Sequence, residues 1–138
     1  MKIAVYGPSY NERSKSTIKI LIDYLKNKKA SVFFERDFYD SITTNSNINI
    51  ESFSFETFKI LDTSYDLLVS VGGDGTILRA ITFVKDLNIP IVGINTGRLG
   101  FLATIPMNKV KKALNEIYEG NYRISKRSLL AISIDGNE

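Results

Sequence analysis

The chain has 138 residues, 43% of them hydrophobic and 24% charged, with a formal net charge of +3. Those values bound it to about one globular domain with a real core and exclude a disordered segment. Cysteine and histidine are absent, which removes disulfides, thiolate metal sites and imidazole bases, so proton transfer would fall to a carboxylate, a lysine or a tyrosine.

Residues 2–6 (KIAVY) read as a short apolar strand ending at Gly7-Pro8. That start is a strand rather than a signal peptide, and no apolar stretch approaches membrane-spanning length, so a cytoplasmic protein without membrane association is expected. The polar loop SYNERSKS leads into an amphipathic helix with Ile18, Leu21, Ile22 and Leu25 on one face. The run Lys26–Lys29 falls at the end of that helix, where cations suit the dipole. No basic stripe interleaved with aromatics occurs, so nucleic acid is not an expected partner. Residues 31–36 form a second strand. From Asp37 to Ser64 the pattern is poorly defined: DSITTNSNINIES carries loop chemistry, and FETFKIL reads as a short helix.

The next element is the most informative. The apolar run Leu67–Val71 predicts a buried strand, and it stops at Gly72-Gly73-Asp74-Gly75-Thr76. A helix pattern follows, with Ile77, Ala80, Ile81 and Val84 at offsets of zero, three, four and seven. A further strand at 89–94, the loop Asn95-Thr96-Gly97-Arg98-Leu99-Gly100-Phe101 and the patch FLATI come next. A helix from Met107 to Glu119 carries Val110, Ala113, Leu114 and Ile117 on its apolar face, with Gly120 as C-cap. Alternation of strand and helix predicts an α/β fold, a Rossmann-like open, mostly parallel sheet flanked by helices. After Gly120 the pattern changes. SLLAISIDGNE alternates as a half-buried antiparallel strand, and Asp135-Gly136 is a hairpin signal. We therefore expect residues 1–121 to be an α/β nucleotide-binding domain. Residues 122–138 would be a linker and the first strand of a truncated β-rich second domain.

In an open parallel sheet, ligands sit beyond the carboxyl ends of the strands, where Gly72–Thr76 lie. Glycines there are expected to take positive φ and let a ligand approach the backbone, while free N–H groups at the helix start attract an anion. A carboxylate is the wrong group to hold phosphate directly. Asp74 is therefore expected to bind a hydroxyl, accept a proton or coordinate a metal that holds phosphate. Phosphoryl transfer to a hydroxyl satisfies these demands best. Asp-Gly alone is an ordinary turn dipeptide, and it is the strand before and the helix after that favour function. Neither G-x-G-x-x-G at this site nor G-x-x-x-x-G-K-[ST] anywhere is present. The reading requires Asp74 to face open space. A carboxylate turned inward, bonded only to main-chain amides and lacking a cavity before it, would overturn the kinase reading. In the second loop Asn95 offers an amide and Phe101 a face for an adenine, although a tight turn with a buried Phe fits equally.

GGDGT at 72–76 followed by NTGRLGF at 95–101 resembles the NAD kinase family, whose members phosphorylate NAD to NADP with ATP. Diacylglycerol and sphingosine kinases also carry GGDGT, and phosphofructokinases have a close version. The N-x-G-x-L-G-F loop separates them, and a Pro-x-Gly-Thr-Gly-Asn-Asp stretch of the lipid kinases is missing. The resemblance implies Asp74 as proton acceptor for the adenosine ribose 2′-hydroxyl. It implies an NAD or nucleotide site at Gly72, Gly73, Gly75, Thr76, Arg79, Asn95, Gly97 and Phe101. It also implies Mg²⁺ or another divalent cation, with ATP or inorganic polyphosphate as phosphoryl donor. The family's Asn-Glu motif, often within A-L-N-E, belongs to its second domain. The ALNE at Ala113–Glu116 lies on a predicted helix, so Asn115 and Glu116 are expected on a solvated face. The 138-residue chain is expected to bind NAD poorly, to lack useful kinase activity and to be monomeric, the full-length protein being an active homo-oligomer. Two alternatives stay open, a lipid or sugar kinase of the same superfamily and a non-catalytic nucleotide-binding module.

Overall fold

A computed structural model describes residues 1–28 and 30–126. The predicted strand at 128–134 and its turn lie outside the described residues. Five strands, β1 (Lys2–Tyr6), β2 (Ser31–Glu35), β3 (Glu56–Phe58), β4 (Leu67–Gly72) and β5 (Ile91–Asn95), form one sheet in the order β3-β2-β1-β4-β5. Every pairing is parallel. The helices are α1 (Lys15–Leu25), α2 (Arg36–Asn45), α3 (Asp74–Val84) and α4 (Val110–Tyr118).

Strand alternation sorts the core into two layers. Ile3, Val5, Val32, Phe34, Val69, Val71 and Ile94 meet the apolar faces of α1, α2 and α4. Ala4, Tyr6, Leu68 and Phe58 point to the opposite face, where Ala80 and Val84 of α3 cover them. All six residues of β4 are buried, as expected for a central parallel strand enclosed on both sides. α1 packs on α4. There the Tyr24 hydroxyl donates to Asn115 Oδ1 at 2.7 Å, so the exposed Asn115 of ALNE joins two helices.

Three readings of the sequence need correction. The loop expected after Asp37 begins with α2, whose N-terminus is capped by the Glu35 carboxylate accepting from the Asp37 N–H at 2.5 Å. Phe38 and Ile42, four apart, anchor it to the core. FETFKIL is an edge strand over Glu56–Phe58, paired with β2. Its apolar residues at 55, 58 and 61 share a helical spacing, but burial of Phe58 at the sheet edge decides the outcome. The last strand starts at Ile91 rather than at 89, and α4 is preceded by a 3₁₀ turn at Met107–Lys109. Gly120 has φ +78° and its N–H bonds the carbonyl of Ile117, as a helix-terminating glycine should.

Candidate active site

The loop after β4 and the loop after β5 leave the same edge of the sheet, with Gly72 paired to Asn95. Gly72 has no room for a side chain, because a Cβ there would lie 2.2 Å from Thr76 Oγ1. The Thr76 hydroxyl in turn accepts from the Gly73 N–H at 3.4 Å, which closes the strand-to-helix turn. Contrary to the sequence expectation, none of Gly72, Gly73 and Gly75 adopts a positive φ. Gly72 is required by close packing, whereas a Cβ on Gly73 or Gly75 would meet nothing within 4 Å. Those two positions leave open space beside the first turn of α3, where the N–H groups of Asp74 and Gly75 have no intrahelical acceptor while those of Thr76 and Ile77 both bond the Gly73 carbonyl.

The second loop is tied at its base by the parallel bridge between Ile94 and Ile105 and by Asn95 N–H to Ile105 carbonyl at 2.8 Å. Asn95 is buried and organises what lies between. Its Oδ1 accepts from Gly97 N–H at 2.7 Å, and its Nδ2 donates to the Ala103 carbonyl at 3.2 Å. The loop then folds over Asp74. The carboxylate Oδ2 accepts from Phe101 N–H at 3.0 Å, while Oδ1 accepts from Leu102 N–H at 3.0 Å and Ala103 N–H at 2.9 Å. These amides, Ala103 first, then Leu102 and Phe101, hold the Asp74 carboxyl below the usual carboxylate range. Gly100 permits the approach, since a Cβ there would lie 2.2 Å from Asp74 Oδ1.

Two of the three parts of the adverse condition stated for Asp74 are therefore met: its partners are main-chain amides, and no described cavity is lined by it. The third is not. Asp74 is not turned inward; it stands half-exposed at the sheet edge between two open glycine positions. Two cavities, one beneath α4 and one over β1–β3, do not include it. Phe101, expected to offer a ring face or to be buried, is 96% exposed. Arg79 is exposed but sits five residues after Asp74, about 140° round the helix, so α3 does not bring the two side chains together. Sequence reasoning missed Gly100, Leu102 and Ala103, whose contributions are a missing Cβ and two N–H groups that any residue type carries. It also missed Arg13, whose Cδ lies 3.7 Å from where a Cβ on Gly97 would stand. Among the described residues no group of three or more Asp or Glu converges on a metal position.

The profile of the ATP-NAD kinase N-terminal domain matches residues 7–122. The chain belongs to this family. The NAD kinase of Christiangramia forsetii is 42% identical over 132 residues, covering 96% of this chain and 45% of that protein. The NAD kinase of Cytophaga hutchinsonii is 39% identical over 137 residues, covering 98% of this chain and 46% of that protein. The chain thus spans about half the length of the curated relatives it matches. Among solved structures, a yeast NADH kinase complexed with NADH superposes with a TM-score of 0.68 over 88% of this chain and 36% of that one. At 19% identity that likeness speaks for the fold alone. Membership of the NAD kinase family rests on these matches and not on the disposition of Asp74. No helix among the described residues is long and apolar enough to cross a membrane.

Proposed function

We propose that this chain supplies one half of a kinase site that transfers the γ-phosphoryl group of ATP to the adenosine ribose 2′-hydroxyl of NAD, giving NADP. Residues 1–121 form the nucleotide-binding domain, and 122–138 lead into a β-rich half that carries the rest of the acceptor site. A cytoplasmic, homo-oligomeric full-length protein that takes Mg²⁺ or another divalent cation with ATP belongs to the same reading.

The observation that carries it is the meeting of GGDGT and NTGRLGF at Asp74, with the Phe101 side chain exposed where its own N–H donates to the carboxylate. An ionised carboxyl has roughly four acceptor positions, and the loop amides take three of them. The fourth, on Oδ2, has no protein donor and is the position this reading gives to a ribose hydroxyl. Phosphoryl transfer passes through a loose transition state that asks more for alignment than for a strong base. A carboxylate of lowered basicity therefore suits the task of orienting the hydroxyl and taking its proton late. Phe101 stacks the acceptor adenine, Asn95 and Gly97 support that wall, and the N–H groups of Asp74 and Gly75, beside the open Gly73 and Gly75 positions, face the phosphates.

The test is NADP formation by full-length protein and by the 138-residue chain, in a coupled assay. Full-length protein turns over and the chain alone does not, because positioning of both substrates contributes roughly 7–11 kcal/mol to the barrier only when the site is whole. Turnover by the chain alone would overturn the claim that the other half completes the site.

A further inference from the structure

The face of the sheet covered by α3 is unevenly filled. α3 packs on β4 and β5, and no described helix lies over β2 and β3 on that side. A cavity of about 420 Å³ opens there at the carboxyl ends of the first three strands, lined by Tyr6, Glu35, Arg36, Asp37, Lys59 and Phe83. That volume is within the range of small-ligand sites, about 300–1,000 Å³. We propose that this cavity receives the nucleoside of the phosphoryl donor, an adenine nucleoside triphosphate whose phosphates run across the end of β1 to the Gly72–Thr76 turn. The proposal rests on the kinase reading above and assigns its donor side.

Position is the first argument. Chain order reverses between β1 and β4, and ligands of doubly wound sheets lie at that reversal. Glu35 ends β2, two strands from Gly72, a separation of roughly 10 Å at about 4.8 Å per strand, which a triphosphate can span. The acceptor adenine is assigned to Phe101 on the β5 side of Asp74. The donor therefore has to approach from the β1 side, where this cavity lies.

Chemistry is the second. The Tyr6 and Phe83 rings, with centroids 5.0 Å apart, give an apolar wall for a base. Glu35 is 7% exposed, and its Oε2 is held by the Asp37 N–H. Burial pushes its carboxyl up, with the Asp37 amide opposing. The Asp37 and Phe38 amides at the start of α2 donate to it, and ribose hydroxyls would use its remaining acceptor positions. An acid beyond the first strand–helix unit of a doubly wound sheet takes ribose hydroxyls in the same manner. Lys59 and Arg36 are exposed at the rim, with Arg36 Nε 3.4 Å from Asp40 and its other N–H groups free to reach phosphate.

The test uses full-length protein and initial rates with ATP and NAD varied separately. Lys59→Ala combined with Arg36→Ala, both surface changes, raises the KM for ATP about tenfold and leaves that for NAD unchanged. Glu35→Gln keeps an oxygen for the Asp37 amide, and its unfolding temperature checks the cap. It removes the preference for ATP over 2′-deoxyATP. An unchanged KM for ATP in the double variant, or a shift confined to NAD, overturns the proposal. If full-length protein forms no NADP, the kinase reading fails, and calorimetric binding of ATP to the same variants still decides the cavity.

Discussion

Asp74 is engaged on both oxygens, and the geometry of that engagement makes the Asn variant informative. In Asp74→Asn one acceptor oxygen becomes an NH₂ donor facing the N–H groups of Phe101, Leu102 or Ala103. We expect turnover of the full-length protein to fall about 10²–10⁴-fold with nucleotide affinity little changed. Hydrogen exchange at residues 101–103 should accelerate at the same time. A purely chemical role for Asp74 would lower turnover and leave that exchange as it was. The pH dependence has a defined sign. Because the folded carboxyl is held below its ordinary value, the clasp is complete above that value and opens only as pH falls through the depressed one. Protection of 101–103 therefore persists through mild acid.

The elements around the site are joined where side chains are missing. Gly93 in β5 has Ile77 Cδ1 2.5 Å and Ala103 Cα 2.8 Å from where a Cβ would stand. Gly93→Ala pushes α3 and the 95–105 loop apart, and urea unfolding should register a loss of about 1–3 kcal/mol. The long periodic elements were legible in the sequence: β1, α1, β2, the β4–turn–α3 unit and α4 follow their apolar spacing. α2 was not, because RDFYDSITTN commits only Phe38 and Ile42 to the core, and its cap is a Glu at the end of the preceding strand. β3, only three residues long, was hidden because Phe58 within it recurs at helical spacing with Phe55 before it and Leu61 after it. At the site, spacing found Asp74 and the second loop. It could not find the clasp, which is made by main-chain N–H groups and by the bare Cα of Gly100.

At the scale of the molecule, an all-parallel sheet carries aromatic packing on both faces, and that has an alkaline consequence. Tyr65 lies against Phe33 and Phe58, with ring centroids 5.4 and 6.0 Å away. Burial, then the charges of Asp62 and Glu56, push its hydroxyl from 10.0 up to about 12. A folded value above the unfolded one means the contribution is whole below the unfolded value and is lost as pH rises through the folded one. Thermal unfolding followed against pH should show stability falling between about 10 and 12, with Tyr65→Phe flattening that decline.

The strand order also sets a schedule for synthesis. β1 leaves the ribosome before the other four described strands and occupies the middle of the sheet, yet its neighbour β4 begins only at Leu67. At translation speeds of about 5–20 residues per second, the 61 positions from Tyr6 to Leu67 take roughly 3–12 s. Through that interval the edge of Ile3, Ala4 and Val5 opposite β2 lacks its strand partner, and the nascent chain is most open to holdase chaperones before its centre closes.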